Sequence, residues 1–244
     1  MRRNRAWSRD AWRWDVIAGK SVLAVIPARG GSRGLPRKNV LPFRGRPLIG
    51  WTIAAAQASR CVDRLILSSD DPEIIAVAGD LGCPAPFRRA PELSGDAATS
   101  IDVVLDALER VPGYDVVVLL QPTSPLRVAA DIDGALERMS AAGAASCVSV
   151  REAPSHPWLV FGQDSRGRLE PFASAPRGAS LRRQDLPPSW VLNGAVYAAD
   201  AAWLRRERAF IRPGETVAWE MPADRSADID TLEEFRAAER LAQG

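Results

Sequence analysis

Histidine is nearly missing from this chain. His156 is the single copy among 244 residues, which leaves no material for a histidine-based zinc site or a Ser–His–Asp triad. Cysteine is scarce too. Cys61, Cys83 and Cys147 are far apart and form no CxxC, so they read as buried thiols in a reducing, cytoplasmic compartment and not as a disulfide framework. Net charge is only +2, too small an excess for a dedicated nucleic-acid binder. No run approaches the ~18 apolar residues of a membrane span. What remains is 46% hydrophobic and 25% charged, the balance of a globular protein with a core.

Residues 1–20 stand apart, with Arg2, Arg3, Arg5, Arg9 and Arg13 interleaved with Trp7, Trp12 and Trp14. Asp10 and Asp15 interrupt any apolar segment of the signal-peptide kind. We read this stretch as a flexible extension outside the main domain. Beyond it, short apolar runs at 21–27 (SVLAVIP), 64–69, 115–120, 145–150 and 192–198 predict strands. Helical patterns at 47–59, 73–80, 101–110, 131–141 and 231–242 alternate with them. Asp71 followed by Pro72 predicts a capped helix start, Thr99 or Ser100 another, and Asp230 or Thr231 a third. The alternation predicts an α/β fold with a mostly parallel sheet and helices on both faces. Residues 153–190, rich in proline and turns, break the pattern. They are expected to form a small insertion between sheet segments 21–152 and 191–244.

The densest chemistry follows the first strand, in PARGGSRGLPRKN at 27–39. A glycine-rich loop leaving the C-terminal end of a parallel strand is where α/β proteins gather phosphates on backbone N–H groups. Gly30, Gly31 and Gly34 free the backbone, while Arg29, Arg33, Arg37 and Lys38 supply positive charge for a triphosphate. The spacing matches neither G-x-x-x-x-G-K-[ST] nor G-x-G-x-x-G, so neither an ATPase nor a nicotinamide dehydrogenase is indicated. Asp228 and Asp230, two apart in an extended segment, point to one side and suit a hard dication. Gln121 ends a very apolar strand, a costly place for an amide without a polar partner.

The segment IPARGGSRGLPRKN resembles the signature loop of the acylneuraminate cytidylyltransferases, the CMP-sialic acid synthetases. Five further segments agree in order up to residue 127 and beyond: LILSSDD at 65–71, FRRAPELSGDAATS at 87–100, LLQPTSPLR at 119–127, RQDLP at 183–187 and NGAVY at 193–197. DIDTLEEF at 228–235 completes the series. The resemblance implies a Rossmann-like nucleotidyltransferase sheet that binds CTP, with residues 153–190 as a dimerisation subdomain and a homodimer with shared active sites. It implies an enzyme that transfers CMP from CTP to the anomeric hydroxyl of an acidic nine-carbon sugar of the sialic acid type, releasing pyrophosphate. Matched to the family, Arg29 and Lys38 hold the triphosphate within a loop that includes Gly30, Gly31 and Ser32. Asn39, Arg89, Ser100 and Gln121 meet the cytidine half, and Gln121 also reaches the sugar. Asp228 and Asp230 hold Mg²⁺. Arg183 meets the sugar carboxylate, Asn193 is a sugar contact, and Tyr197 lines the acyl pocket. His156 is expected to be structural, and no residue is singled out as a general base. The chain departs from the pattern at Trp158 and Leu159, where the family places a lysine after His-Pro, and this bears on which sugar is used. Pseudaminic and other ulosonic acids, or a silent CTP-binding role, are the alternatives.

Overall fold

The computed structural model describes residues 17–31 and 34–242. The expectations for residues 1–16, Ser32 and Arg33 therefore lie outside the described residues.

Six strands form the central sheet. β1 (Val22–Pro27) lies between β4 (Arg64–Ser68) and β5 (Val116–Leu119), and both pair with it in parallel. β9 (Trp190–Asp200) follows β5 and runs antiparallel to it and to its other neighbour, β6 (Ser146–Glu152). β10 (Thr216–Glu220) completes the edge beside β6, giving the order β10-β6-β9-β5-β1-β4. The sheet is thus mostly parallel, as expected, with β9 the one reversed strand. Two short strands, β2 (Pro42–Phe43) and β3 (Arg46–Pro47), form a hairpin just before the first helix.

Alternation of side chains along the buried strands divides the core between the two faces. Val22, Ala24 and Ile26 of β1 face α1 (Leu48–Ala58), α2 (Pro72–Asp80) and α4 (Ala129–Ala141), through Ile49, Ile53, Ile74, Ala78, Ile132 and Leu136. Leu23 and Val25 face α3 (Ser100–Arg110) and α5 (Ala201–Glu207), through Val104, Leu108, Trp203 and Leu204. A third cluster seats α6 (Leu232–Leu241) on Phe43 and Leu48 by way of Phe235 and Ala238.

The caps meet one expectation and settle two open readings. Asp71 accepts from the backbone N–H groups of Glu73 and Ile74, with Pro72 opening α2. Thr99, not Ser100, caps α3 through a reciprocal box with Asp102. Thr231, not Asp230, caps α6 in the same way with Glu234. Ser100 and the Asp230 carboxylate are therefore not consumed as caps.

Between β6 and β9, a separate hairpin of β7 (Phe161–Gln163) and β8 (Leu169–Pro171) pairs only with itself among the described residues. Leu169 and Phe172, in and just after it, are exposed, as is Trp190 at the start of β9. The three thiols are unpaired and buried, and burial pushes each up to about 12. No helix among the described residues is long and apolar enough to cross a membrane.

Candidate active site

The order of the first three parallel strands creates the site. The chain leaves β1 for β4 on one side, then returns across β1 to form β5 on the other. At such a reversal, the crevice beyond the C-terminal strand ends is left open to a ligand. Here a cleft of about 580 Å³ opens beside Pro27, where β1 ends, and Gln121, Pro122 and Thr123, which follow β5. Its walls bring together Arg29, Lys38, Asn39, Arg89, Ser100, Gln121, Asp228 and Asp230, drawn from four separated sequence segments. The volume suits a nucleotide-sized ligand.

Each wall is held by identifiable bonds. Arg89 is 5% exposed, its Nε donating to Ser68 Oγ at 3.1 Å and its guanidinium also to the Ser68 carbonyl. Burial lowers its pKa to about 10, against the opposing pull of Asp70, and Arg29 lowers it further. Asn39 donates to the Arg29 carbonyl at 3.2 Å, while its own Oδ1 is buried without a partner. Arg29 reaches Asp96 at 3.0 Å, tying the basic loop to the segment ahead of α3. Lys38, 9% exposed at its side chain, donates to the Ile229 carbonyl and to Asp230 Oδ1, both at 2.7 Å.

The two aspartates differ. Asp230 stands out in solvent, with 72% of its side chain exposed. Asp228 is open at its surface yet recessed enough that desolvation raises its pKa. Thr123 bonds it and lowers it, Asp230 and Glu234 raise it, and Lys38 partly offsets them. A carboxylate held in unfavourable negative surroundings gains from a nearby cation. The pair offers the hard carboxylate oxygens that a magnesium ion takes one or two at a time before completing its shell with phosphates and water, with Asp230 Oδ1 shared with Lys38.

Other expected residues fall elsewhere. The Gly30 N–H is spent on Asp70 Oδ1 at 3.1 Å, and Gly30 and Gly31 stand back from the cleft that Gly34 lines. Ser32 is outside the described residues. Arg183 is exposed, on a short 3₁₀ turn (Arg183–Asp185), and does not line the cleft. Tyr197 is half-buried and packs on Phe210 with ring centroids 5.5 Å apart. Burial, then the charge of Asp228, pushes its phenol up. Asn193 is buried at 3% exposure, with its amide engaged inside the protein. His156 accepts from the Trp158 N–H at 3.2 Å and caps a 3₁₀ turn, as a structural residue would.

Several contributors were not singled out from sequence. Gly194 has φ +75°, and a Cβ there would lie 2.8 Å from Gln121 Oε1 and 3.2 Å from Asp228 Oδ2. Only glycine lets β9 pass this close to both. Arg127, 2% exposed, donates to the carbonyls of Gln121 at 3.2 Å and Ala195 at 2.7 Å, fastening β5 to β9 behind the cleft. Burial lowers its pKa to about 9. The QPTSPLR and NGAVY segments were the signal for both residues, but without their spatial pairing.

A basic loop, buried amide and guanidinium groups, and a carboxylate pair thus meet at the switch point of an open α/β sheet, where the charge and hydrogen-bonding groups suit an anionic ligand. The chain belongs to the cytidylyltransferase family, whose sequence profile matches residues 23–155. It is 36% identical over 215 residues to an N-acylneuraminate cytidylyltransferase of Streptococcus agalactiae serotype III, covering 87% of this chain and 51% of that protein. The chain thus spans about half the length of those streptococcal relatives. It is 34% identical to the CMP-N,N'-diacetyllegionaminic acid synthase of Legionella pneumophila, covering 91% of this chain and 96% of the relative. A pseudaminic acid cytidylyltransferase of Campylobacter jejuni is also 34% identical, over 90% of this chain and 95% of its own. Among solved structures, CMP:2-keto-3-deoxy-manno-octonic acid synthetase complexed with CTP shares the fold, with a TM-score of 0.69 and 19% identity over 91% of this chain and 98% of its own.

Proposed function

We propose that this chain is a CMP-nonulosonic acid synthetase, transferring CMP from CTP to a sugar acid of the N-acylneuraminate or legionaminate type. The observation that carries the reading is the chemistry of the cleft. Asn39 offers a buried unpartnered acceptor and Arg89 a buried cationic donor. A cytosine edge presents an amino donor beside carbonyl and ring-nitrogen acceptors, so it answers both. Gln121 and Ser100 complete the set of groups for the cytidine half.

In the proposed reaction the sugar's anomeric oxygen forms a bond to the α-phosphorus of CTP. The bond from that phosphorus to pyrophosphate breaks, and the hydroxyl proton is released. Such a transfer asks mainly for positioning and charge neutralisation. Arg29 and Lys38 would hold the triphosphate and the leaving pyrophosphate. Asp228 and Asp230 would hold Mg²⁺, which when bound supplies positive charge to the phosphates. Arg183 would pair with the sugar carboxylate in bidentate fashion. It lies off the cleft of its own chain, which favours a homodimer in which it serves the partner's site. The exposed Leu169 and Phe172 of the hairpin between β6 and β9 support such a contact.

Calorimetric titration with CTP, UTP and ATP in Mg²⁺ tests the base reading. CTP binding at least tenfold tighter than UTP is expected, and equal affinity for the two would count against it.

A further inference from the structure

We propose that Asn193 is a positioning residue for Asp228 and not a sugar contact, an inference that rests on the Mg²⁺–CTP reading above. An amide has two donor hydrogens and two acceptor sites. All four are spent. Oδ1 accepts from Ser149 Oγ at 2.6 Å and from the Ala195 N–H at 3.2 Å. Nδ2 donates to Ser226 Oγ at 2.9 Å and to Met221 Sδ at 3.4 Å. At 3% exposure Asn193 has no surface to offer a sugar.

Its partners tell what the amide does. Ser149 lies on β6 and also accepts from the Val196 N–H at 2.7 Å, so this end of the network is rooted in the sheet. Met221 and Ser226 bracket the segment that leads from β10 to Asp228. The Met221 N–H donates to the Val150 carbonyl at 2.8 Å, and Ser226 Oγ donates to the Pro222 carbonyl at 2.8 Å. A second strut crosses the same segment. Arg225 makes a two-pronged bond at 2.9 and 3.1 Å to Asp131, which is fully buried in the first turn of α4. Downstream, the Ile229 N–H donates to the Thr123 carbonyl at 2.9 Å, and Lys38 holds the Ile229 carbonyl.

Asp228 is therefore suspended between two fixed points, with Ser226 two residues before it. Of the two bonds from Asn193 that tie this segment to β9, the one to Ser226 is the nearer to Asp228. Gly194, with its positive φ, lets Asn193 turn into the protein while the following residues continue along β9. The network bonds the segment that carries Asp228 and not its carboxylate, which Thr123 bonds, so it acts on metal affinity by placing that carboxylate.

The test is calorimetric CTP binding to the full chain at graded Mg²⁺, without sugar, for wild type, Ser226→Ala and Asn193→Asp. Sugar KM is measured alongside, at a temperature well below each unfolding midpoint. Ser226 lies behind Asn193 and offers no route to a sugar, so only the positioning role predicts an effect there. The Mg²⁺ needed for half-maximal CTP binding should rise in both variants by up to about tenfold, the low end for a group supporting a metal ligand because the bond acts through the backbone. CTP binding without Mg²⁺ and sugar KM should stay within about twofold of wild type. Wild-type Mg²⁺ dependence in Ser226→Ala overturns the inference, as does a rise confined to sugar KM in Asn193→Asp. Should Asn193→Asp fail to fold, Ser226→Ala decides alone. A wild-type chain whose CTP binding ignores Mg²⁺ overturns the metal reading itself, and the inference with it.

Discussion

Replacing Gly194 by alanine separates a stability effect from a catalytic one, and the geometry gives the size of each. The added Cβ would lie 2.8 Å from Gln121 Oε1 and 3.2 Å from Asp228 Oδ2, both side-chain atoms that can move. The backbone cannot relax as easily, because φ is +75° and alanine pays about 1–2 kcal/mol in the left-handed region. For a chain of this size each kcal/mol is worth about 2–4 °C, so the unfolding midpoint should fall by roughly 2–8 °C. Activity should fall further than that. The displaced atoms belong to the amide proposed to meet substrate and to the carboxylate proposed to meet Mg²⁺, and shifts of ~1 Å at such groups can cost about a hundredfold. Melting curves and pyrophosphate release at 25 °C, where both proteins remain folded, measure the two separately. A variant that melts lower but keeps wild-type kcat/KM would refute the placement of β9 against Gln121 and Asp228. One that loses activity with an unchanged midpoint would refute the backbone argument.

Arg89→Met should cost little stability, because it removes a buried cation with only serine partners. It should weaken CTP binding by roughly 10- to 150-fold, the worth of about 1.5–3 kcal/mol in a charged hydrogen bond, as read by calorimetry. Arg225→Met leaves Asp131 buried without its ion-pair partner, held only by the Val128 N–H and the nearby charge of Arg127. A loss of about 3 kcal/mol is expected by denaturant titration, the low end for breaking a buried pair because Arg225 is partly exposed. Asp228 should titrate above the ordinary aspartate range in metal-free protein. Its proton is lost late because of burial and the charges of Asp230 and Glu234, so its ionised form disappears early as pH falls. Carboxyl-carbon NMR reads this, and Asp230→Asn should move the midpoint down by removing one of those like charges.

The main strands and helices were legible in sequence because buried parallel strands read as short apolar runs and the helices carry caps such as Asp71 and Thr231. The expected helix at 47–59 and strand at 64–69 lie within a residue or two of α1 and β4. Strand direction was not legible. β9 is as apolar as its neighbours, and periodicity is the same whichever way a strand runs. α5 and β10 leave no readable pattern in the sequence. α5 is only seven residues long, and the edge strand β10 is partly exposed, so neither has a long pattern. In the site, the residues that line the cleft lay at strand ends and in motif loops, where sequence points naturally. Asn193 shows the opposite case. Its neighbours Ser149 and Ser226 are 44 and 33 residues away, so nothing local distinguishes an amide spent on the fold from one offered to a ligand.

The most direct test of the proposed function is pyrophosphate release from CTP and Mg²⁺ across neuraminic, legionaminic, pseudaminic and octulosonic acids, with Asp230→Ala in parallel. Release is expected to depend on a neuraminate- or legionaminate-type acid and to collapse in the variant. Release with none of these acids, or undiminished release by Asp230→Ala, would contradict the proposed function.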